Sequence, residues 1–194
     1  MVEEMVPYMR RRFKLNWQKA ALLVIDVQEY FRPLFSGILG NIKRLLWAFR
    51  TLERPVVFTV HGHRDPERDG GMLYRWWGEL IREGTFDHRI VQELEPKEGE
   101  KILPKRRYSA FYGTDLEGYL RGLGVEEVVI CGVMTNLCCE TTARDAFMRD
   151  FLVFFVHDAT ATSLKELHLA SLKNLAYGFA VVLSTEEVIK ELGL

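Results

Sequence analysis

Long apolar runs are missing from this chain: no uninterrupted stretch approaches the ~20 residues that span a bilayer, so no membrane span is expected. A charge excess is missing too, with 26 Lys and Arg set against 27 Asp and Glu for a net charge of −1. Nucleic acid and anionic membrane both call for a basic surplus, so neither is an expected partner. Cysteine is scarce and odd in number, three residues with Cys138 and Cys139 adjacent. That excludes an even disulfide framework and points to a reducing compartment. A basic, apolar leader is also lacking. The opening MVEEMVPYMRRRF carries acids where a secretory signal is basic, and a cytoplasmic location is the expectation. Asn and Gln are few, four and three, beside plentiful Glu and Arg, a composition that leans toward heat adaptation. Repeats, linkers and low-complexity segments are absent. With 48% apolar and 12% aromatic residues, the 194-residue chain reads as one folded domain rather than a disordered one.

What is present is an alternation of short apolar runs with helical stretches. Ala21–Ile25 reads as a strand buried on both faces, and Ile38–Leu52 as a helix with apolar residues at helical spacing. Pro55 ends that helix and opens a strand over Val56–Val60. Residues 61–85, rich in Gly, Pro, Asp and His, read as a long loop with room for a short helix. Lys101–Leu103 is a short strand, and Asp115–Leu123 a helix with Thr114 as N-cap. Strands then fall at Val125–Cys131, Phe151–Val156 and Phe179–Leu183, and helices at Thr135–Arg149, Leu164–Ala176 and Thr185–Leu192, the last capped by Ser184. Such β-α alternation argues for a parallel sheet with helices on both faces. Residues 1–15 read as an extension laid on the surface or on a partner subunit, and 16–194 as the domain proper.

Open parallel sheets bind ligands outside the carboxyl ends of their strands. The residues that follow each strand are therefore the candidates. Asp26, Gln28 and Phe31 follow the first, His61 and His63 the second, Lys105 the short central one, and Gly132 through Cys138 the strand ending at Cys131. An acid, a cation and a thiol thus share one rim. Cys138 falls in the first turn of its helix, where the dipole and the free N–H groups favour a thiolate, and Lys105 would favour it further. Asp26 is placed to take the thiol proton and return it to a leaving group. The plainer alternative is a buried structural cysteine, a capping aspartate and a solvated lysine.

The runs AALLVIDVQEYF (20–31), ILPKRRYSAFYGTDL (102–116) and ICGVMTNLCCETTARDAF (130–147) resemble the isochorismatase-like cysteine hydrolases, a group that includes nicotinamidases, carbamoylsarcosine amidases and isochorismatases. The resemblance covers roughly residues 17–190. It implies a Rossmann-like three-layer α-β-α sandwich on a six-stranded, mostly parallel sheet, and matches Asp26, Lys105 and Cys138 to the family's triad. It also implies a cis peptide at Val133–Met134, and an oxyanion hole formed by the N–H groups of Met134 and Cys138. Phe31 and Phe111 take pocket-lining positions by the same resemblance, with Tyr112 in the specificity region. Dimers or tetramers are the family habit.

His61 and His63 alternate at a strand end, so a metal pair is conceivable. Metal-dependent nicotinamidases read Asp-x-His there with a further His; this chain has His61 in place of that Asp and no His before His88. The expectation is therefore no metal and no cofactor, with His61 lining the pocket and His63 hydrogen-bonded in its loop. Cys131 and Cys139 read as packing residues, Asp158 as a loop brace, and His88 and His168 as solvated. Trp76 and Trp77 could wall a pocket or seal a subunit contact. Three functions stay open: a cysteine hydrolase cleaving a small amide or related C–N bond, an isochorismatase cleaving a vinyl ether to pyruvate with Asp26 as general acid, and a non-catalytic binding protein.

Overall fold

The structure, a computed structural model, describes residues 2–194. Six strands form one all-parallel sheet: β1 (Ala20–Ile25), β2 (Val56–His61), β3 (Lys101–Lys105), β4 (Glu127–Val133), β5 (Leu152–Ala161) and β6 (Val181–Leu183). Their spatial order is β3-β2-β1-β4-β5-β6. The chain builds outward from β1 to β3, then returns to the other side of β1 and builds outward again. β1 and β4 therefore flank the topological switch point, where the connections diverge and leave a crevice.

Each strand feeds two cores because its side chains alternate between faces. Leu22 and Val24 pack on one side with Ile42, Leu45 and Phe49 of helix Leu39–Thr51 and with Val188 of helix Thr185–Glu191. Ala21, Leu23 and Ile25 pack on the other with Leu116 and Leu120 of helix Leu116–Gly122, Ala143 and Ala146 of helix Glu140–Met148, and Leu172 and Leu175 of helix Lys165–Gly178. All six residues of β1 are buried, as a central strand between two helical layers requires.

Several boundaries differ from the sequence reading, each for a local reason. β5 runs on through His157 and Asp158 to Ala161, because a bulge lets Gly132 pair with Thr160 after Ile130 has paired with Phe155. The polar HDAT stretch hid that continuation. The loop after β2 carries two short helices, Pro66–Asp69 and Met72–Trp77. Thr114 does not occupy the N-cap position; Asp115 does, while the Thr114 hydroxyl accepts from the Leu116 N–H at 3.3 Å. Ser184 does cap its helix, in a reciprocal capping box with Glu187. The N-terminal segment lies on the chain's own helix Lys165–Gly178: Met5 is buried in that core, and Arg10 stacks on the Tyr177 ring at 4.5 Å. Asp158 braces the start of the last helix, accepting from the Thr185 N–H and hydroxyl at 2.7 and 2.8 Å.

Candidate active site

Asp26 follows β1 directly and turns the chain with φ of 49°, so its carboxylate points into the switch-point crevice rather than along the strand. Its N–H donates to Thr59 Oγ1 at 3.0 Å, and the Thr59 hydroxyl donates back to Asp26 Oδ1 at 2.6 Å. With Oδ1 held by β2, Oδ2 faces Lys105 Nζ at 2.7 Å. Lys105 ends β3, and its stem crosses the end of β2 to reach that carboxylate. The same ammonium donates to the Arg107 carbonyl at 3.0 Å and to Cys138 Sγ at 3.4 Å. Acid, cation and thiol thus meet around one nitrogen, all three buried.

Burial works against a charge on Lys105, but the neighbouring Asp26 and then Cys138 more than offset it, and the lysine pKa is raised. The thiol goes the opposite way from the sequence expectation. Burial pushes Cys138 up to about 12; Lys105 pulls against that, and Asp26 adds to it. Cys138 is not in an exposed first turn of an ordinary helix. Thr135–Cys139 form a π-helical turn in which the Cys139 N–H reaches back to the Met134 carbonyl at 3.1 Å, and only at Glu140 does the α-helix begin. Dipole and solvent are both weaker there than expected, so the resting group is a thiol beside a lysine–aspartate pair.

The turn is brought close to β1 by Gly132. Gly132 has φ of 116° and pairs with Ile25, and a Cβ on it would lie 2.1 Å from the Ile25 carbonyl oxygen. No other residue lets β4 bend there against the β1 backbone. One residue further on, the Val133–Met134 peptide is cis.

His61 and His63 lie beside the triad, their rings 5.1 Å apart and nearly perpendicular. Burial, reinforced by the Lys105 charge, lowers the His61 pKa to about 3, which keeps the imidazole neutral; its Nδ1 has no partner. His63 Nδ1 meets Asp69 Oδ1 at 3.0 Å, in the loop role expected of it. Asp69 is further tied to the Arg64 N–H and to Arg106, both at 3.1 Å. Among the described residues no three His, Cys, Asp or Glu side chains gather as metal ligands. A metal of the kind the histidine pair raised does not fit these residues, since Asp69, the carboxylate that adjoins His63, is committed to the Arg64 N–H and to Arg106.

Two expectations fail here. Phe111 was assigned to the pocket but packs on Phe151 with ring centroids 5.7 Å apart, and Phe151 precedes β5 at the opposite end of the sheet. Its place in the motif is a core place. His88 and His168 are not simply solvated. The His88 ring lies against Gly62, close enough that a Cβ there would be 2.4 Å from it, and His168 Nδ1 pairs with Thr135 Oγ1 at 2.9 Å. Phe31 is half-buried against the first core, and Tyr112 is exposed. Sequence reading missed two working side chains. Thr59 holds the acid, and its one signal was a hydroxyl inside an otherwise apolar strand, VVFTVH. Gln28, named on the rim without a role, clamps β2 to the following loop: its Oε1 accepts from the His61 N–H at 2.9 Å, and its Nε2 donates to the His61 and His88 carbonyls.

The parallel α/β sandwich and the contact among Asp26, Lys105 and Cys138 at its switch point are the arrangement that the three sequence motifs implied. The family model described as Isochorismatase domain matches residues 20–187, and the chain belongs to that family. Over 188 residues it is 45% identical to Nicotinamidase 3 of Arabidopsis thaliana, covering 95% of this chain and 94% of that protein. It is 34% identical over 187 residues to enterobactin synthase component B of Escherichia coli strain K12, covering 91% of this chain but 66% of that longer protein. Among solved structures, a cysteine hydrolase from Pseudomonas syringae pv. phaseolicola 1448A superposes with a TM-score of 0.89 at 29% identity, covering 94% of this chain and 96% of that one. The protein is a hydrolase of the isochorismatase family.

Proposed function

We propose that residues 16–194 form one catalytic domain that hydrolyses a small amide or related C–N bond through a thioester on Cys138, with residues 1–15 an extension packed on it. The observation that carries this reading is the Lys105 ammonium, 2.7 Å from Asp26 Oδ2 and 3.4 Å from Cys138 Sγ. Asp26 takes the thiol proton as Sγ attacks the carbonyl carbon; Lys105 stabilises the thiolate as it forms. A thiol that rests protonated suits this order, because the base sits beside it and the charge appears only during attack. The Met134 and Cys138 N–H groups are assigned to the oxyanion, after which Asp26 returns the proton to the leaving nitrogen. Water, deprotonated by Asp26, then opens the thioester and releases the acid. Phe31, His61 and Tyr112 are assigned to the substrate. The 45% identity to a nicotinamidase supports amide chemistry, and the protein is assigned to the cytoplasm as a homodimer or tetramer. Trp76, 76% exposed, and Met148, 74% exposed, are the kind of surface a subunit contact covers.

The second reading is vinyl-ether hydrolysis with Asp26 as general acid, releasing pyruvate from isochorismate; the similarity to enterobactin synthase component B favours it. Ammonia and pyruvate release from nicotinamide, small ureides, aliphatic amides and isochorismate separate the two. Under the amide reading, Cys138→Ala lowers kcat by about 10³-fold or more with the fold intact. Retention of more than about a tenth of turnover points to acid catalysis by Asp26 alone. No turnover of any compound favours a binding protein.

A further inference from the structure

The turn that carries Cys138 is tied by three side-chain hydrogen bonds to one short stretch of chain, residues 162–171. Thr162, just past β5, donates from its hydroxyl to Asn136 Oδ1 at 2.6 Å. On the helix Lys165–Gly178, Ser171 donates to Glu140 Oε2 at 2.5 Å, and His168 Nδ1 meets Thr135 Oγ1 at 2.9 Å. His168 and Ser171 are three residues apart and so share one face of that helix. The ties at 135 and 136 fall where the π-helical turn opens, and the tie at 140 falls where it ends, with Cys138 between them.

These ties are not equivalent. Asn136 and Glu140 are half-buried and can exchange a lost partner for water, whereas Thr135 is fully buried. A buried hydroxyl has to place its proton, and among the described residues His168 Nδ1 is the one partner of Thr135 Oγ1. The hydroxyl therefore donates, which assigns the ring its own proton on Nε2. Burial lowers the His168 pKa, and the neighbouring His157 lowers it further while the His157 carbonyl opposes; the ring stays neutral, as an acceptor at Nδ1 requires. Lys105 reaches the sulfur at 3.4 Å, a loose contact, so where the sulfur sits depends on the backbone of its turn.

We propose that His168 is a positioning residue: by accepting the Thr135 hydroxyl it fixes the turn that presents Cys138, so that the sulfur and the main-chain donors face one point. The inference rests on the thioester reading above. His168 touches no reacting atom and acts through Thr135.

The test compares two reactions of Cys138 in the folded protein. Acetylation by p-nitrophenyl acetate forms a bond from sulfur to the acetyl carbon as p-nitrophenolate leaves, and it needs the sulfur and the oxyanion donors in register. Alkylation by iodoacetamide needs only a reachable thiolate. The first is read as the p-nitrophenolate release that Cys138→Ala removes, the second by peptide mapping, and their ratio cancels changes in exposure. Thr135→Val and His168→Leu should each lower the ratio about tenfold. Thr135→Ser keeps the hydroxyl, and His168→Asn puts an acceptor oxygen at the place of Nδ1; both should stay within about threefold of wild type. Thr135→Val/His168→Leu together should be no lower than either alone, since the same bond is lost in all three. A merely structural bond would lower Tm in these variants and leave the ratio unchanged. An unchanged ratio in Thr135→Val or His168→Leu, an equal fall in the conservative variants, or an additive fall in the double variant would each overturn the role. Should Thr135→Val fail to fold, His168→Leu against His168→Asn decides, and equal ratios count against the proposal. A wild-type ratio no higher than that of free N-acetylcysteine would remove the thioester reading and the role with it. The expected pattern without turnover of any amide upholds the role and removes the amide reading alone.

Discussion

At the scale of single residues, charge and burial oppose each other at the site, and the outcome can be measured. Cys138 is 6% exposed, while Cys131 and Cys139 are fully buried, and burial pushes all three thiols up. Only Cys138 has an ammonium against its sulfur. Brief iodoacetamide treatment of the native protein should therefore label Cys138 before the other two, as read by peptide mapping. Because its pKa is near 12, the rate should keep climbing about tenfold per pH unit past pH 9, without the levelling that an ordinary thiol shows near 8.5. Lys105→Ala should slow the labelling, since Asp26 would then oppose the thiolate alone. Equal labelling of the three sites would mean the nucleophile is misassigned. His61 gives a second residue-scale expectation. Its pKa is about 3 in the fold against 6.5 unfolded, so below pH 6.5 the unfolded chain binds a proton that the fold refuses. Stability is untouched by this group above 6.5 and falls by a few kcal/mol as pH drops toward 3. The slope of Tm against pH between 6.5 and 5 should be shallower in His61→Gln; an identical slope would remove His61 as the cause.

At the scale of elements, the site depends on how closely β4 passes β1. The Gly132 backbone approach sets that distance, and a side chain there meets main-chain atoms on β1 that no rotamer can avoid. Gly132→Ala should cost about 3 kcal/mol or more in denaturant unfolding, from the positive φ and the collision together. It should also lower turnover beyond what stability explains, because the turn carrying Cys138 follows immediately. Wild-type stability in that variant would show that the strands separate without penalty. The bulge in β5 belongs to the same scale: it extends the sheet past the point where apolar alternation stops, and it brings Thr160 opposite Gly132.

At the scale of the molecule, parallel topology supplies one crevice, and the chain fills it with groups from four separate places: Asp26 after β1, Thr59 in β2, Lys105 at the end of β3 and Cys138 after β4. The loop after β2 adds the paired histidines and the commitments that consume Asp69. Turnover should therefore survive dialysis against a strong chelator undiminished. Loss restored by zinc, manganese or iron would show that His61 and His63 hold a metal with ligands brought in by a rearrangement or by a second subunit.

The order of strands and helices, the two-faced burial of β1 and the rim bearing Asp26, Lys105 and Cys138 were legible in the sequence. Period and composition report directly on strands buried from both sides, and parallel strands present their carboxyl ends together. Thr59 and Gln28 gave almost no signal, because a residue that holds another through a bond 33 positions away is ordinary in its own neighbourhood. Phe111 misled for the same reason: its motif is local, but the ring it packs on, Phe151, comes from the far end of another strand. The state of Cys138 was also a tertiary matter. A helix start and a nearby lysine can be read along the chain, and both argue for a thiolate; how much water remains at the sulfur cannot. Packing of both helical layers against the sheet removes that water, and desolvation outweighs the lysine.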